Sequence, residues 1–181
     1  MDLKGKNIIL GVCGGIAAYK VCDIIRGLVK LGANAECILT NNGSKFITPL
    51  TLQTLSKNKV YQNMFEEPAA WEIEHISLAK KADLIIVVPA TADMMSRLAC
   101  GRADDLLSVT VLASKAKILI CPAMNTNMLQ HRATQINIST LKSYEYKFVM
   151  PENGELACGD IGDGRLASVE NIISAIVKEL S

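Results

Sequence analysis

Asn7-Ile8-Ile9-Leu10-Gly11-Val12-Cys13-Gly14-Gly15-Ile16 decides the fold. Six mostly apolar residues reach two adjacent glycines, and a helical pattern runs from Ile16 to Leu31. This is a strand, a tight turn and a helix. Gly32 ends the helix in the left-handed manner, and Ala33 to Thr40 supplies a second strand. The βαβ unit so formed predicts a parallel sheet.

Further along, Leu84 to Val88, Lys117 to Cys121 and Tyr146 to Met150 read as strands. Helical patterns at Met94 to Cys100, Leu106 to Ser114 and Arg132 to Ser143 fall between or beside them. Val169 to Leu180 places Val169, Ile172, Ile173, Ile176 and Val177 on one face of a closing helix. The alternation predicts an α/β three-layer sandwich with a central parallel sheet. Asn63 to Glu74 and Pro151 to Arg165 fit no regular element and read as long loops of functional interest.

The chain has 181 residues, half of them hydrophobic, enough for one domain spanning 1–181. Nineteen Lys and Arg oppose 18 Asp and Glu, so no basic field exists to grip nucleic acid. The apolar runs Leu84 to Ala92 and Ile118 to Met124 fall far short of the roughly 20 residues of a membrane span. Without a signal-like start, a cytoplasmic location is expected. Cys13, Cys22, Cys37, Cys100, Cys121 and Cys158 show no Cys-x-x-Cys or close Cys/His spacing, so reduced thiols and no metal site are expected. Cys37 and Cys121 lie in strands as small hydrophobes.

In parallel sheets, ligands sit outside the carboxyl ends of the strands, where Gly11 to Ile16 falls. The spacing is Gly-x-x-Gly-Gly rather than Gly-x-Gly-x-x-Gly, and Leu39-Thr40-Asn41-Asn42 carries no carboxylate for a ribose. NAD is disfavoured and FMN fits better. Pro89-Ala90-Thr91-Ala92-Asp93 is a second small-residue turn at a strand end, equally readable as a helix N-cap at Thr91 or Asp93.

Three residues carry chemistry. His75 is one of two histidines, the residue type whose ordinary pKa suits proton exchange near neutrality, and it reads either as a proton acceptor or as a solvated or capping histidine. Asn125 follows Pro122-Ala123-Met124 at a strand end, where its amide faces a ligand crevice or caps a helix. Cys158 lies in a glycine-rich stretch, where a flap would carry a thiol to a substrate or a solvated loop would simply display it. A base, a neutral amide for a carboxylate and a thiol acid are what flavin-assisted decarboxylation of a cysteine derivative requires.

These segments, with Gly14-Gly15-Ile16-Ala17-Ala18-Tyr19-Lys20, the Pro-Ala-Thr-Ala-Asp turn and Ala-Cys-Gly-Asp, resemble the phosphopantothenoylcysteine decarboxylases among the homo-oligomeric flavin-containing cysteine decarboxylases. The likeness spans nearly the whole chain and includes the N-terminal domain of the bacterial bifunctional coenzyme A biosynthesis proteins. It implies a flavodoxin-like or Rossmann-like fold, bound FMN, and trimers that assemble further into dodecamers, with His75 reaching the flavin of a neighbour. It places Gly14, Gly15, Thr40, Thr91, Ala92, Asp93, Met94 and Ala123 near the cofactor, although Asp93 and Met94 depart from the Ala-Asn-Thr form of many relatives.

The resemblance further implies decarboxylation of 4'-phosphopantothenoylcysteine to 4'-phosphopantetheine through thioaldehyde and enethiol intermediates. His75 is then the base, Asn125 the ligand of the substrate carboxylate, and Cys158 the proton donor on a flap near 151–166. A phosphopantothenate-cysteine ligase, fused or separate, is an implied partner. The alternatives are a lantibiotic-type peptidyl-cysteine decarboxylase, whose relatives lack the Cys-bearing flap, a more distant flavin prenyltransferase, and a non-catalytic flavin-binding regulatory subunit.

Overall fold

The computed structural model describes residues 2–65 and 73–181. Its strands are β1 (Asn7–Val12), β2 (Asn34–Leu39), β3 (Val60–Tyr61), β4 (Leu84–Ala90), β5 (Lys117–Pro122) and β6 (Lys147–Phe148). All pair in parallel, in the order β3-β2-β1-β4-β5-β6. That is the doubly wound Rossmann-type order, and its switch point falls between β1 and β4.

Helices α1 (Val21–Lys30), α2 (Pro49–Ser56) and α8 (Val169–Leu180) cover one face. The other carries α3 (Glu74–Lys81), α4 (Ala92–Ala99), α5 (Leu106–Ala113) and α7 (Arg132–Ser143), with the short α6 (Thr126–Gln130) between β5 and α7. Because both faces are covered, the central strands are apolar throughout, and every residue of β4 is buried. Alternate residues feed the two cores. Leu84, Ile86 and Val88 pack with α1 and α8, while Ile85 and Val87 pack with the opposite layer.

Most expected elements occur within one or two residues of their anticipated ends. The first helix differs, because Ile16–Lys20 is a 3-10 turn that becomes α-helical only at Val21. Gly32 has φ +82°, as the left-handed stop requires. Of the irregular stretch Asn63 to Glu74, residues 66–72 lie outside the described residues. Its end is helical instead, since α3 starts at Glu74 and carries His75.

Pro151 to Arg165 is more ordered than a loop. It is an antiparallel hairpin of β7 (Glu152–Glu155) and β8 (Ile161–Arg165). Its charged and glycine residues hide the alternation that announces a strand. Met124 N–H donates to the Gly164 carbonyl at 3.0 Å, and the Thr126 hydroxyl donates to the Asp163 carbonyl at 2.7 Å. Gly164 has φ +142°, and a Cβ there would strike the Met124 carbonyl. Only glycine allows β8 to lie this close to the loop after β5.

Candidate active site

The carboxyl ends of β1, β4 and β5 open into a cavity of about 690 Å3. That volume suits a sizeable small-molecule ligand. Gly14 and Gly15 follow β1, Thr91 and Ala92 follow β4, and Ala123, Met124 and Asn125 follow β5. The hairpin closes the far side with Glu155 to Cys158 and with Gly164 and Arg165.

Each strand hands over to a helical turn. Gly15 begins the Ile16–Lys20 turn with no side-chain cap. Thr91 caps α4 by accepting from Met94 N–H at 3.1 Å, and Asn125 Oδ1 caps α6 by accepting from Asn127 N–H at 2.8 Å. Both capping roles weighed from the sequence are therefore filled at residues that also line the cavity. Capping leaves Asn125 Nδ2 free to point elsewhere, and it donates to Cys158 Sγ at 3.7 Å.

Cys158 is exposed at the hairpin tip. Leu156 N–H donates to the Asp160 carbonyl and Gly159 N–H to the Leu156 carbonyl, closing a turn in which Gly159 has φ +87°. The Cys158 thiol donates to Asp160 Oδ2 at 3.3 Å. At the hairpin base, Glu152 accepts from Ser168 N–H and Asn171 Nδ2, both at 2.9 Å, and pairs with Arg165 at 3.5 Å. Those donors hold the Glu152 carboxyl below the usual carboxylate range, the Ser168 amide foremost.

The remaining sequence-derived positions fall elsewhere. Thr40 turns its hydroxyl to the Val12 carbonyl at 3.1 Å and accepts from Gly43 N–H, so it braces the β2 turn. Asp93 pairs with Arg97 at 2.8 Å, and Met94 is buried in the core. None of these three lines the cavity. The sequence signals assign no site role to Asp160, Thr126, Lys20 or Arg165. Lys20 stands within the Gly-Gly-Ile-Ala-Ala-Tyr-Lys segment and was legible as a cation on the first helical turn after the glycines.

His75 does not line the cavity either. Its helix packs through Leu78 on the sheet face opposite that of Ala17 and Ala18. Lys81 fixes α3 by reaching Glu36 of β2 at 2.5 Å, Lys59 pairs with Glu74, and Ser114 donates to the Ala79 carbonyl. Tyr61 also donates to Glu36 at 3.2 Å, and burial, with that carboxylate next, pushes its hydroxyl up to about 12. So His75 lies outside the cavity that Asn125 and Cys158 of its own chain line.

The residues present fit a flavin nucleotide. Gly14, Gly15, Ala92 and Ala123 leave a smooth wall for a flat ring, with Ile16, Met124 and Met128 as apolar flanks. Uncapped backbone amides at the Ile16–Lys20 turn and the cation of Lys20 suit an anionic group.

Residues 1–181 match the family described as Flavoprotein. The chain is 45% identical over 177 residues to a probable phosphopantothenoylcysteine decarboxylase of Streptococcus mutans, covering 97% of this chain and 99% of that protein. It is 46% identical over 179 residues to the coenzyme A biosynthesis bifunctional protein CoaBC of Bacillus subtilis, covering 99% of this chain and 44% of that protein. The chain thus spans less than half the length of its bifunctional relatives.

Among solved structures, the FMN-dependent cysteine decarboxylase SpaF superposes with TM-score 0.84 at 26% identity, over 99% of each chain. A mutant PPC decarboxylase complexed with pantothenoylaminoethenethiol shares the fold, with TM-score 0.85 at 23% identity over 96% of this chain and 97% of that one. The sheet order, the glycine-lined cavity, the family match over residues 1–181 and the Streptococcus mutans relative agree, and the chain belongs to the phosphopantothenoylcysteine decarboxylase family of flavoproteins.

Proposed function

We propose that this chain decarboxylates 4'-phosphopantothenoylcysteine to 4'-phosphopantetheine and CO2 with FMN as its cofactor. The observation that carries the reading is the meeting of Asn125 and Cys158, from separate elements, over a cavity floored by Gly14 and Gly15. Relatives of the same name and the flavoprotein family membership support it.

Gly14, Gly15, Thr91, Ala92 and Ala123 would hold FMN along the cavity wall. Bound there, FMN would supply reversible two-electron redox chemistry and so the electron sink that loss of CO2 from a cysteine carboxylate requires. Asn125 Nδ2 donates to the substrate carboxylate without a full positive charge, so it orients the group without holding it against departure. The Cys158 thiol gives a proton to substrate carbon as the enethiol becomes saturated. The hairpin carrying Cys158 closes the far side of the cavity and so presents the thiol to it.

His75 is the base of the oxidative half in this reading, and it must come from a second copy. Its place on the opposite sheet face supports a homo-oligomer in which α3 of one protomer meets the cavity of another. Ile73 and Leu112, on neighbouring elements of that face, are 63% and 59% exposed. Apolar exposure there suits an interface between copies. A trimer, itself able to build a dodecamer, is the proposed assembly. Relatives more than twice as long support a partnership with a phosphopantothenate-cysteine ligase, fused or separate.

The test is mass spectrometry of the product formed from 4'-phosphopantothenoylcysteine, with wild-type protein and Cys158→Ser. Wild type is expected to give 4'-phosphopantetheine, and the variant to release CO2 with a trapped enethiol. No CO2 from wild type overturns the reading. Full retention of saturated product by the variant removes Cys158 from it.

A further inference from the structure

We propose that Asp160 is a positioning residue that, by accepting the Cys158 S–H, holds the neutral thiol at the hairpin tip until the substrate carbon takes its proton. The inference rests on the reading of Cys158 as proton donor.

Cys158 Sγ lies between two side chains of opposite character. Asn125 Nδ2 stands 3.7 Å away as a donor, and Asp160 Oδ2 stands 3.3 Å away as an acceptor. An ionised carboxylate only accepts, so the proton in the contact with Asp160 belongs to sulfur. A thiolate there would face a carboxylate at the same short distance, whereas a neutral thiol gains a hydrogen bond. Reactive nucleophilic cysteines are surrounded by cations or helix N-termini. A carboxylate beside the thiol is the opposite arrangement, suited to an acid.

The turn imposes this pairing. Its two backbone hydrogen bonds join Leu156 to Gly159 and Asp160, and the left-handed Gly159 between the two side chains lets the chain reverse. Cys158 and Asp160 thereby lie on one side of the tip. When the thiol gives its proton to substrate carbon, the S–H bond breaks, its electron pair stays on sulfur, and solvent water restores the proton. The carboxylate then disfavours the lingering thiolate and so favours that return.

The test is the iodoacetamide alkylation rate of each cysteine in flavin-loaded protein at fixed pH, resolved by peptide mass spectrometry. Cys100, also exposed, serves as the internal reference. Asp160→Asn is expected to speed Cys158 alkylation about threefold with Cys100 unchanged, and Asp160→Glu to return the rate toward wild type. With substrate, Asp160→Asn is expected to raise the unsaturated share of product. An unchanged Cys158 rate overturns the proposal, as does an equal rise at Cys100. Alkylation needs no turnover, so failure here is distinct from failure of the decarboxylase reading, which the Cys158→Ser product reports.

Discussion

Asn125 Nδ2 and Cys158 Sγ stand 3.7 Å apart although 33 residues separate them in sequence. One residue caps a helix after the fifth strand and the other rides a hairpin tip. They meet because β8 hydrogen-bonds to Met124 and Thr126 on either side of Asn125. The amide of Asn125 is thus divided, Oδ1 holding the backbone of α6 and Nδ2 facing the cavity.

That division separates structure from chemistry at one position. Asn125→Asp keeps an oxygen to accept from Asn127 N–H but replaces the donor with a charge opposed to a substrate carboxylate. Thermal stability is expected to hold while CO2 release falls about 100-fold. Asn125→Ala loses the cap as well and should cost about 1 kcal/mol of stability. Thermal melts alongside CO2 assays distinguish the two.

Gly14 and Gly15 should respond differently to an added methyl. A Cβ on Gly14 would lie 2.5 Å from Asn42 Cβ and 2.9 Å from its carbonyl carbon, whereas on Gly15 the nearest atom is Pro89 Cγ at 3.8 Å. Gly14→Ala must displace the turn and is expected to weaken flavin binding about tenfold or more, a change of about 1.4 kcal/mol. Gly15→Ala should leave the melting temperature unchanged. Flavin absorbance after dialysis measures the first effect.

The hairpin's attachment can be loosened without touching Cys158. Gly164→Ala adds a side chain at φ +142° and against the Met124 carbonyl. Release of β8 is expected to speed trypsin cleavage after Arg165 about tenfold. Gly159→Ala is strained at φ +87° but lies at the tip and its Cβ meets no neighbour, so it should change cleavage after Arg165 far less. Limited proteolysis with peptide mapping reads both.

Alkaline stability follows from the buried thiols. Burial pushes Cys13 and Cys37 from 9.0 to about 12, and it pushes Cys121 up as well. The folded chain holds these protons where the unfolded chain has lost them. Their contribution is complete below about pH 9 and is lost as pH rises toward 12. Each such thiol adds up to about 1.4 kcal/mol of loss per pH unit. Urea melts across this range should show the slope, and Cys37→Ala should reduce it.

The carboxyl-end cavity was legible in part. Gly14 and Gly15, Thr91 and Ala92, and Ala123 to Asn125 each follow a buried strand, and that local pattern was enough to place them. Thr40, Asp93 and Met94 share the pattern but not the cavity, because their side chains serve a turn, an ion pair and the core. Direction of a side chain at a strand end depends on the next turn, which strand signals do not report. The short α2 was locally announced by Thr48-Pro49, a cap followed by proline at the first helical position, yet its eight residues gave little periodicity.

By itself the sequence determined β1, β2, β4, β5 and β6, the helices α4, α5, α7 and α8 with most of α1, and the chemical identity of His75, Asn125 and Cys158. Hydrophobic period, glycine and capping residues act over a few neighbours, so they can be read along a line. Tertiary structure alone decided the strand order, the conversion of Pro151 to Arg165 into a docked hairpin, and the separation of His75 from the other two. Those outcomes depend on partners far apart in the chain, where backbone pairing and close glycine contacts carry the specificity and leave little mark on local composition.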